Sequence, residues 1–439
     1  MLRNIDLELY KWSMNTDHKP LLIMGARQVG KTTSITMFCK ENYEHYYYTN
    51  LFNDKTLIDI YNQNIGSEKK LELLKLALNI SKPSENSILF VDEVQESEEF
   101  ISDLKYLNEK HPEINIICSG SLLGVKFKRF SSSFPVGQID LKYMYPMNFE
   151  EFLLNTENEE YIHLIDSAYL DNTPVNNVIH EKLLNLYKVY LCIGGLPESV
   201  KNYIKINKDL SRYNKNILKS IRKEYIEDMK KYVTSNNETI KIEKIYNSVP
   251  HQIENLSDKF QYSKIENNAK SNLFELPLDW LFASKIVLKS NCISKPENPL
   301  NGFISDTTFK VFYNDVGMLN SFLDVKFLDI LQDKLLQYKG AINENYVATQ
   351  LISNDIPLNY WRSENKSEID FIIENEHGVI PIEVKAGKSV KSKSLSVYMK
   401  KFNPKYAIRI SNKNFGFENN IKSVPSYAVH CIKQNKDYY

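Results

Sequence analysis

Short apolar runs alternate with longer segments of helical period over the first third of the chain. That rhythm predicts a mostly parallel sheet with helices on both faces. Pro20 opens the run Leu21-Leu22-Ile23-Met24, which reads as a buried strand, and Thr32 to Lys40 follows as a helix. Tyr46 to Leu51, Ser87 to Val91 and Ile114 to Cys118 read as further strands, with a short fifth at Ile139 to Leu141. Residues 54–80 and Glu96 to Lys110 carry helical patterns, and residues 1–19 read as an amphipathic lead-in helix and a polar turn. Residues 151–235 are helical and charged. Residues 236–330 mix short helices with a β-wing, with Pro296 and Pro299 near its tip. After Gly340 a helix precedes strand-like segments at 358–362, 369–374, 379–385 and 406–411, a second α/β unit spanning 331–439. The expected class is α/β, in four regions: 1–150, 151–235, 236–330 and 331–439.

Composition narrows the picture in three ways. A chain of 439 residues is too long for one core, so two or three domains are expected. Lys and Arg total 55, as do Asp and Glu, so a nucleic-acid surface must come from local segregation of charge. Cys39, Cys118, Cys192, Cys292 and Cys431 lie far apart with no CxxC pair, and the eight histidines show no metal-ligand spacing. A zinc site and a disulfide framework are therefore not expected. The start, MLRNIDLELYKW, lacks the apolar core of a signal peptide, and no stretch approaches the length of a membrane helix. A cytoplasmic protein without membrane association is the expectation.

Gly25-Ala26-Arg27-Gln28-Val29-Gly30-Lys31-Thr32 fits G-x-x-x-x-G-K-[ST] between an apolar strand and a helix. Glycines let the backbone turn its N–H groups toward phosphate oxygens, and the helix that follows aims its dipole at the anion. Lys31 is expected to bind the β- and γ-phosphates of ATP and Thr32 to ligate Mg2+, with Thr33 completing the nucleotide-binding set. Ile88-Leu89-Phe90-Val91-Asp92-Glu93 ends a buried strand in two carboxylates, 61 residues after Lys31 (92 − 31). Asp92 is expected to hold the magnesium and Glu93 to act as general base on water. Ser119, in Ile116-Ile117-Cys118-Ser119-Gly120-Ser121, is the candidate γ-phosphate sensor.

These residues resemble the AAA-type ATPases, in the branch with a catalytic glutamate and an extra strand between the P-loop and Asp92 strands. The stretches GARQVGKTT, ILFVDEVQ, CSGSLLG, YPMNFEEFL, GGLPESV and FYNDVGML resemble a prokaryotic ATPase family whose C-terminal domain is uncharacterised. The resemblance implies an ATPase core, a helical lid, a winged-helix segment and a nuclease-like C-terminal unit. The family often has a Gly-Arg pair before the YPM-like stretch; here Gly137-Gln138 stands there, and if the missing arginine acts as a finger on a neighbour's γ-phosphate, its absence puts hydrolysis or oligomeric coupling in question. Arg129 is a substitute or a solvated basic turn, and a homo-oligomer stays open.

Ile369-Asp370-Phe371 and Glu383-Val384-Lys385 form a second constellation. Residues two apart on a strand share a face, so Glu383 and Lys385 project together. A hairpin through Glu376-His377-Gly378 would bring Asp370 near Glu383. Such carboxylates bind one or two divalent cations, Lys385 positions or activates water, and Glu344 is a further candidate ligand, with Glu368 as an alternative. Glu344, Asp370, Glu383 and Lys385 resemble the order of acids and lysine in the PD-(D/E)xK nucleases, especially the Holliday-junction-resolvase-like members. Residues 384–417 carry Lys385, Lys388, Lys391, Lys393, Lys400, Lys401, Lys405, Arg409 and Lys413 with no Asp or Glu, which suits DNA phosphates or a solvated face. Trp280 reads as core; Trp361 is a packed aromatic or a base-stacking platform. Two functions follow: an ATP-driven DNA-processing enzyme, or a nucleotide-dependent regulatory or defence switch whose C-terminal unit binds partners without cutting.

Overall fold

Five short strands, all parallel, form the sheet of the first compact unit in the order β2-β3-β4-β1-β5. They are β1 (Leu21–Met24), β2 (His45–Asn50), β3 (Ser87–Asp92), β4 (Asn115–Gly120) and β5 (Asp140–Tyr143). The computed structural model describes residues 1–80, 86–121, 135, 137–232, 236–254, 259–334, 337–363, 367–387 and 393–433. The chain divides into two units: Met1–Tyr145 with Ala283–Lys285, and Pro146–Phe282 with Ile286–Tyr439.

In the first unit the connecting helices are α1 (Asn4–Met14), α2 (Lys31–Asn42), α3 (Thr56–Tyr61), α4 (Ser67–Ala77) and α5 (Glu98–Lys110). Strands β1, β3 and β4 are buried throughout, as parallel strands between helix layers must be. The expected helix from Glu96 instead begins at Glu98, because Val94–Glu96 form a 3-10 turn and the Ser97 hydroxyl accepts from Phe100 N at 3.1 Å as N-cap. Its Phe100, Ile101, Leu104 and Leu107 then fall on one face and enter the core with Leu89, Val91 and Ile116. The fifth strand sits two residues later than the apolar pattern suggests at its far end, since its pairing partner is β1 and Asp140 N bonds the Pro20 carbonyl.

The second unit holds two mixed sheets. One, β7-β6-β8-β9, joins β6 (Val287–Ile293), β7 (Ile304–Tyr313), β8 (Asn359–Arg362) and β9 (Glu368–Ile369). The other, β10-β11-β12-β14-β13, joins β10 (Phe371–Asn375), β11 (Gly378–Val384), β12 (Ala407–Ser411), β13 (Gly416–Glu418) and β14 (Ile421–Pro425). The β-wing strands do pair antiparallel as β6 and β7, but β6 also pairs parallel with β8, Asn291 opposite Asn359. The expected boundary near 330 therefore lies inside a shared sheet, a consequence of long-range pairing that local pattern does not carry. The helices are α6 (Phe149–Asn155), α7 (Glu160–Asp171), α8 (Asn177–Ile193), α9 (Pro197–Lys205), α10 (Asn216–Tyr232), α11 (Asn236–Glu254), α12 (Ser271–Ala283), α13 (Val316–Leu323), α14 (Phe327–Leu331), α15 (Lys339–Ser353) and α16 (Lys393–Phe402). Trp280 is core, and Trp361 is packed against Tyr398 and Phe402, both at 5.2 Å between ring centroids, so it is not a platform for a base.

Three separated stretches of the second unit meet at Asp315. Its Oδ1 accepts from Met318 N at 2.9 Å as N-cap of α13, and its Oδ2 accepts from Gly195 N at 2.6 Å. The Gly195 carbonyl accepts from Met147 N at 2.7 Å, and the Tyr190 hydroxyl donates to the Met147 carbonyl at 2.5 Å. A Cβ on Gly195 would lie 1.9 Å from Met147 O, and one on Gly317 would lie 2.6 Å from Gly194 N. Only glycine permits this approach.

Burial pushes the Asp315 carboxyl up to about 6 from 3.8, against the pull of the Gly195, Met318 and Gly317 N–H groups. The folded state then holds this proton more tightly than the unfolded chain. Stability is fullest below the unfolded pKa and is lost as pH rises through the folded one, by about 3 kcal/mol for a shift of this size. Wild type should therefore lose its stability advantage over Asp315→Asn as pH rises from about 4 to about 7. Thermal unfolding of the two chains across that range tests it, and a constant gap would exclude Asp315 as the titrating group.

Candidate functional site

The loop Gly25–Gly30 joins β1 to α2. Gly30 stands at φ 100°, the left-handed region, as N-cap of α2, which lets the chain turn directly into the helix. Gln28 adopts φ 64° without being glycine. Lys31 Nζ donates to the Gly25 and Ala26 carbonyls at 2.9 and 2.8 Å and is buried. That burial pushes its ammonium down to about 8, against the opposing pull of Glu93 and Asp92. Ala26 and Val29 are buried, Arg27 and Gln28 half-buried, and Thr32 and Thr33 exposed on the first turn of α2.

Thr32 Oγ1 donates to Asp92 Oδ2 at 2.9 Å. Strand β4 lies between β1 and β3, with Ser119 opposite Ile23, and this brings the Ser119 hydroxyl onto Asp92 Oδ1. Tyr48 and Asn50, on β2, approach Asp92 Oδ2 at 3.5 and 3.4 Å. Glu93 leaves the strand at φ 54°, a strained turn for a non-glycine residue, and its Oε2 meets Gln95 Nε2 and the Ser121 hydroxyl, the latter at 3.4 Å. A hydroxyl and a carboxylate in contact at the mouth of the loop fit a hard octahedral cation such as Mg2+. The sequence pattern misses Tyr48, Asn50 and Gln95; their signal is position alone, at the end of β2 and two residues past Glu93. It also misses Arg3, which donates to the Val29 carbonyl at 2.6 Å and to the Tyr145 carbonyl at 2.7 Å, pinning the loop from the lead-in helix. Gln138 is tied to Asn108 at 2.7 Å, while Arg129 and the Leu122–Gly124 end of the CSGSLLG stretch lie outside the described residues.

The second unit gathers Glu344, Asp370, Glu383 and Lys385. β10 and β11 form the expected hairpin, Phe371 opposite Ile382. Asp370 does not start a continuous strand; it stands at the break between β9 and β10, where the chain passes from one sheet to the other. There its Oδ2 accepts from Val384 N at 2.7 Å. Lys385 Nζ pairs with Glu383 Oε1 at 2.5 Å, and Glu344 enters from α15. Burial, then Glu344 and Glu383, push the Asp370 carboxyl well above the usual carboxylate range; burial likewise raises Glu344, against the pull of Lys310. Buried carboxylates that repel one another in this way make a donor set suited to a divalent cation.

Lys310, on β7, is the residue sequence reasoning overlooks. Its Nζ lies 3.8 Å from Glu344 Oε2 and bonds Glu368 Oε1. Burial alone would depress this ammonium, but Glu344, Glu368 and Asp370 outweigh it and keep it charged. Lys310 and Glu344 also line a small pocket with Gln252, Lys259 and Phe260. Of the basic run, Lys393, Lys400, Lys401, Lys405 and Lys413 are exposed, whereas Lys388 and Lys391 lie outside the described residues.

The strand order, the loop and the Thr32–Asp92–Ser119 cluster define a P-loop ATPase fold of the AAA type. Residues 17–153 match the family model described as AAA domain, so the first unit is an AAA-type P-loop ATPase domain, a nucleotide-binding fold. Residues 184–329 match a domain of unknown function, DUF8612, and residues 339–429 another, DUF4143. Among solved structures, the Walker-type ATPase paby2304 of Pyrococcus abyssi is 16% identical, with a TM-score of 0.44 over 73% of this chain and 95% of that one. The ORC2 protein of Aeropyrum pernix, solved with ADPNP and ADP, is 14% identical, with a TM-score of 0.38 over 76% and 95%. The ORC1 protein of Aeropyrum pernix, solved with DNA, is 12% identical, with a TM-score of 0.32 over 75% and 95%. No curated protein matches the chain.

Lys31→Ala should lower ATP affinity by about 100-fold, since charge-assisted hydrogen bonds to phosphate contribute roughly 1.5–3 kcal/mol each. Titration with a fluorescent ATP analogue measures this, and an unchanged dissociation constant would remove the loop from nucleotide binding.

Proposed function

We propose that this chain hydrolyses ATP in its first unit and acts on DNA through a metal-dependent phosphodiester-cleaving centre in its second. Lys31 and the loop N–H groups bind the β- and γ-phosphates. Thr32 and Asp92 would hold Mg2+, which when bound neutralises charge developing on the phosphate oxygens. Glu93 takes the proton from the attacking water, with Gln95 and Ser121 holding its carboxylate, and Ser119, bonded to Asp92, senses the γ-phosphate.

The observation that carries the DNA reading is the convergence of Glu344, Asp370, Glu383 and Lys385 from a helix, a sheet break and a strand end into one cluster, with Glu344 and Glu383 buried and Asp370 and Lys385 half-buried. Glu344, Asp370 and Glu383 would hold one or two Mg2+ ions, which supply stabilisation of the charge on a scissile phosphate. Val384 N fixes the Asp370 carboxylate, and Lys385 is placed to orient water against the phosphate. The exposed lysines of 393–413 supply a surface for the DNA backbone.

Lys310 favours a second reading. A buried ammonium already between Glu344, Glu368 and Asp370 supplies the countercharge that a metal would otherwise bring. On that reading the unit is a switch or scaffold that binds partners without cutting.

Cleavage of branched, single-stranded and duplex DNA with Mg2+ or Mn2+, with and without ATP, separates the two. Cleavage lost in Asp370→Ala supports the nuclease, and its further loss in Lys31→Ala supports ATP control. No cleavage by wild type under any condition, with ATPase activity intact, overturns the nuclease and leaves the switch. At the first site, Glu93→Gln should keep ATP binding while slowing hydrolysis by about 100-fold or more, the usual scale of a general base. Equal turnover in the variant would exclude Glu93 from that role.

A further inference from the structure

Outside both sites, one cluster in the second unit has the chemistry of a metal centre. Asp166 on α7 and the adjacent His430 and Cys431 near the end of the described chain bring one ligand atom each to within 4.8 Å of one another. His430 is 1% exposed and Cys431 6%. Among the described residues neither ring nitrogen of His430 has a hydrogen-bond partner, an arrangement that is costly for a buried imidazole. One faces the Tyr427 carbonyl without reaching hydrogen-bond geometry. The Cys431 thiol donates to Asp166 Oδ1 at 3.5 Å.

We propose that Asp166, His430 and Cys431 bind a zinc-class divalent cation, one ion per chain, clamping α7 to the C-terminal segment of the second unit. The donor set is one thiolate, one imidazole and one carboxylate, which suits Zn2+ and not Mg2+. A tetrahedral zinc shell sets its donors about 3.5 Å apart. The Cys431–Asp166 pair is already at that distance, and the half-exposed Asp166 side chain has room to turn. The ligand backbone is held in advance: Asn354 Nδ2, at the end of α15, donates to the His430 and Ile432 carbonyls, both at 2.7 Å. The Tyr427 carbonyl is placed to accept a hydrogen bond from the N–H of the non-ligating ring nitrogen, the usual second partner of a metal-bound histidine. Glu150 adds negative charge near Cys431 and Lys433 opposes it. Binding converts the thiol to thiolate and releases its proton to solvent, so thiolate, carboxylate and Zn2+ sum to zero net charge. A nucleophilic role fits less well, because the thiol is buried and its hydrogen bond goes to Asp166 and not to the imidazole. Asp166 and Cys431 lie 265 residues apart in sequence, so the ion would close a long loop of chain.

The test uses the full chain, stripped with a chelator and titrated with Zn2+ or Co2+. Wild type should retain one equivalent of Zn2+ through dialysis and melt at a higher temperature with it. The Co2+ form should show thiolate-to-metal charge-transfer absorption. That absorption should persist in Asp370→Ala, which separates this site from the sulfur-free carboxylate cluster, and vanish in Cys431→Ser. Asp166→Asn, altering the half-exposed ligand, should keep the fold by circular dichroism and weaken Zn2+ binding roughly tenfold or more. No thiolate-to-cobalt absorption in wild type, the same absorption in a folded Cys431→Ser, or unchanged Zn2+ affinity in Asp166→Asn would each overturn the proposal.

Discussion

A carboxylate buried among backbone N–H groups is the constraint on which the second unit turns. Asp315 is costly to ionise where it lies, yet it caps the N-terminus of α13, reaches Gly195 and so fixes the stretch that receives Met147. From there the order spreads through direct contacts. Asn320 on α13 bonds the Leu191 carbonyl of α8, Tyr187 of α8 bonds Asn343 of α15, and Gln350 of α15 accepts from Phe149 N. Asn345 of α15 exchanges two bonds with the backbone of Tyr313 at the end of β7. Helix α15 carries Glu344 and β7 carries Lys310, so the geometry of the carboxylate cluster descends from the packing that Asp315 holds. The stretches Tyr145 to Leu153, Gly194 to Val200 and Phe312 to Leu319 need no chemistry of their own to explain their sequences; they build one another's backbone contacts.

What was legible in the sequence follows from the range of each interaction. The loop Gly25–Thr32 answers local demands: a strand before, a helix after, glycine where φ is positive. Asp92 and Glu93 are legible because four apolar residues and two acids in a row admit one placement, at the end of a buried strand. The hairpin of β10 and β11 is legible from the short polar turn between two apolar runs. Lys310 is not, because its partners Glu368 and Glu344 come from distant parts of the chain and meet it only in the folded sheet. Arg3 is hidden for the same reason, since its partners are the Val29 and Tyr145 carbonyls and backbone carbonyls leave no mark in a sequence. Histidine and cysteine spacing predicts no metal site, and it could not register Asp166, which joins His430 and Cys431 only through packing across the fold.

The two acid-bearing sites differ in how their charge is balanced, and this difference bears on what each can do. The hydrogen-bond partners given for Asp92 are the Thr32, Ser119, Tyr48 and Asn50 side chains and the Glu93 N–H, all neutral, so the carboxylate is oriented without a direct ion pair and Lys31 acts on it through space. Around Asp370 the charge is met in part by ammonium groups: Lys310 serves Glu344 and Glu368, and Lys385 serves Glu383. A divalent ion entering there shares the carboxylates with the lysines, and its gain is reduced where it separates those pairs. The same lysines give the cluster stability that does not depend on metal. On the nuclease reading proposed above, a substrate phosphate that draws Lys385 from Glu383 would free a carboxylate for the cation, so that anion and cation would enter together.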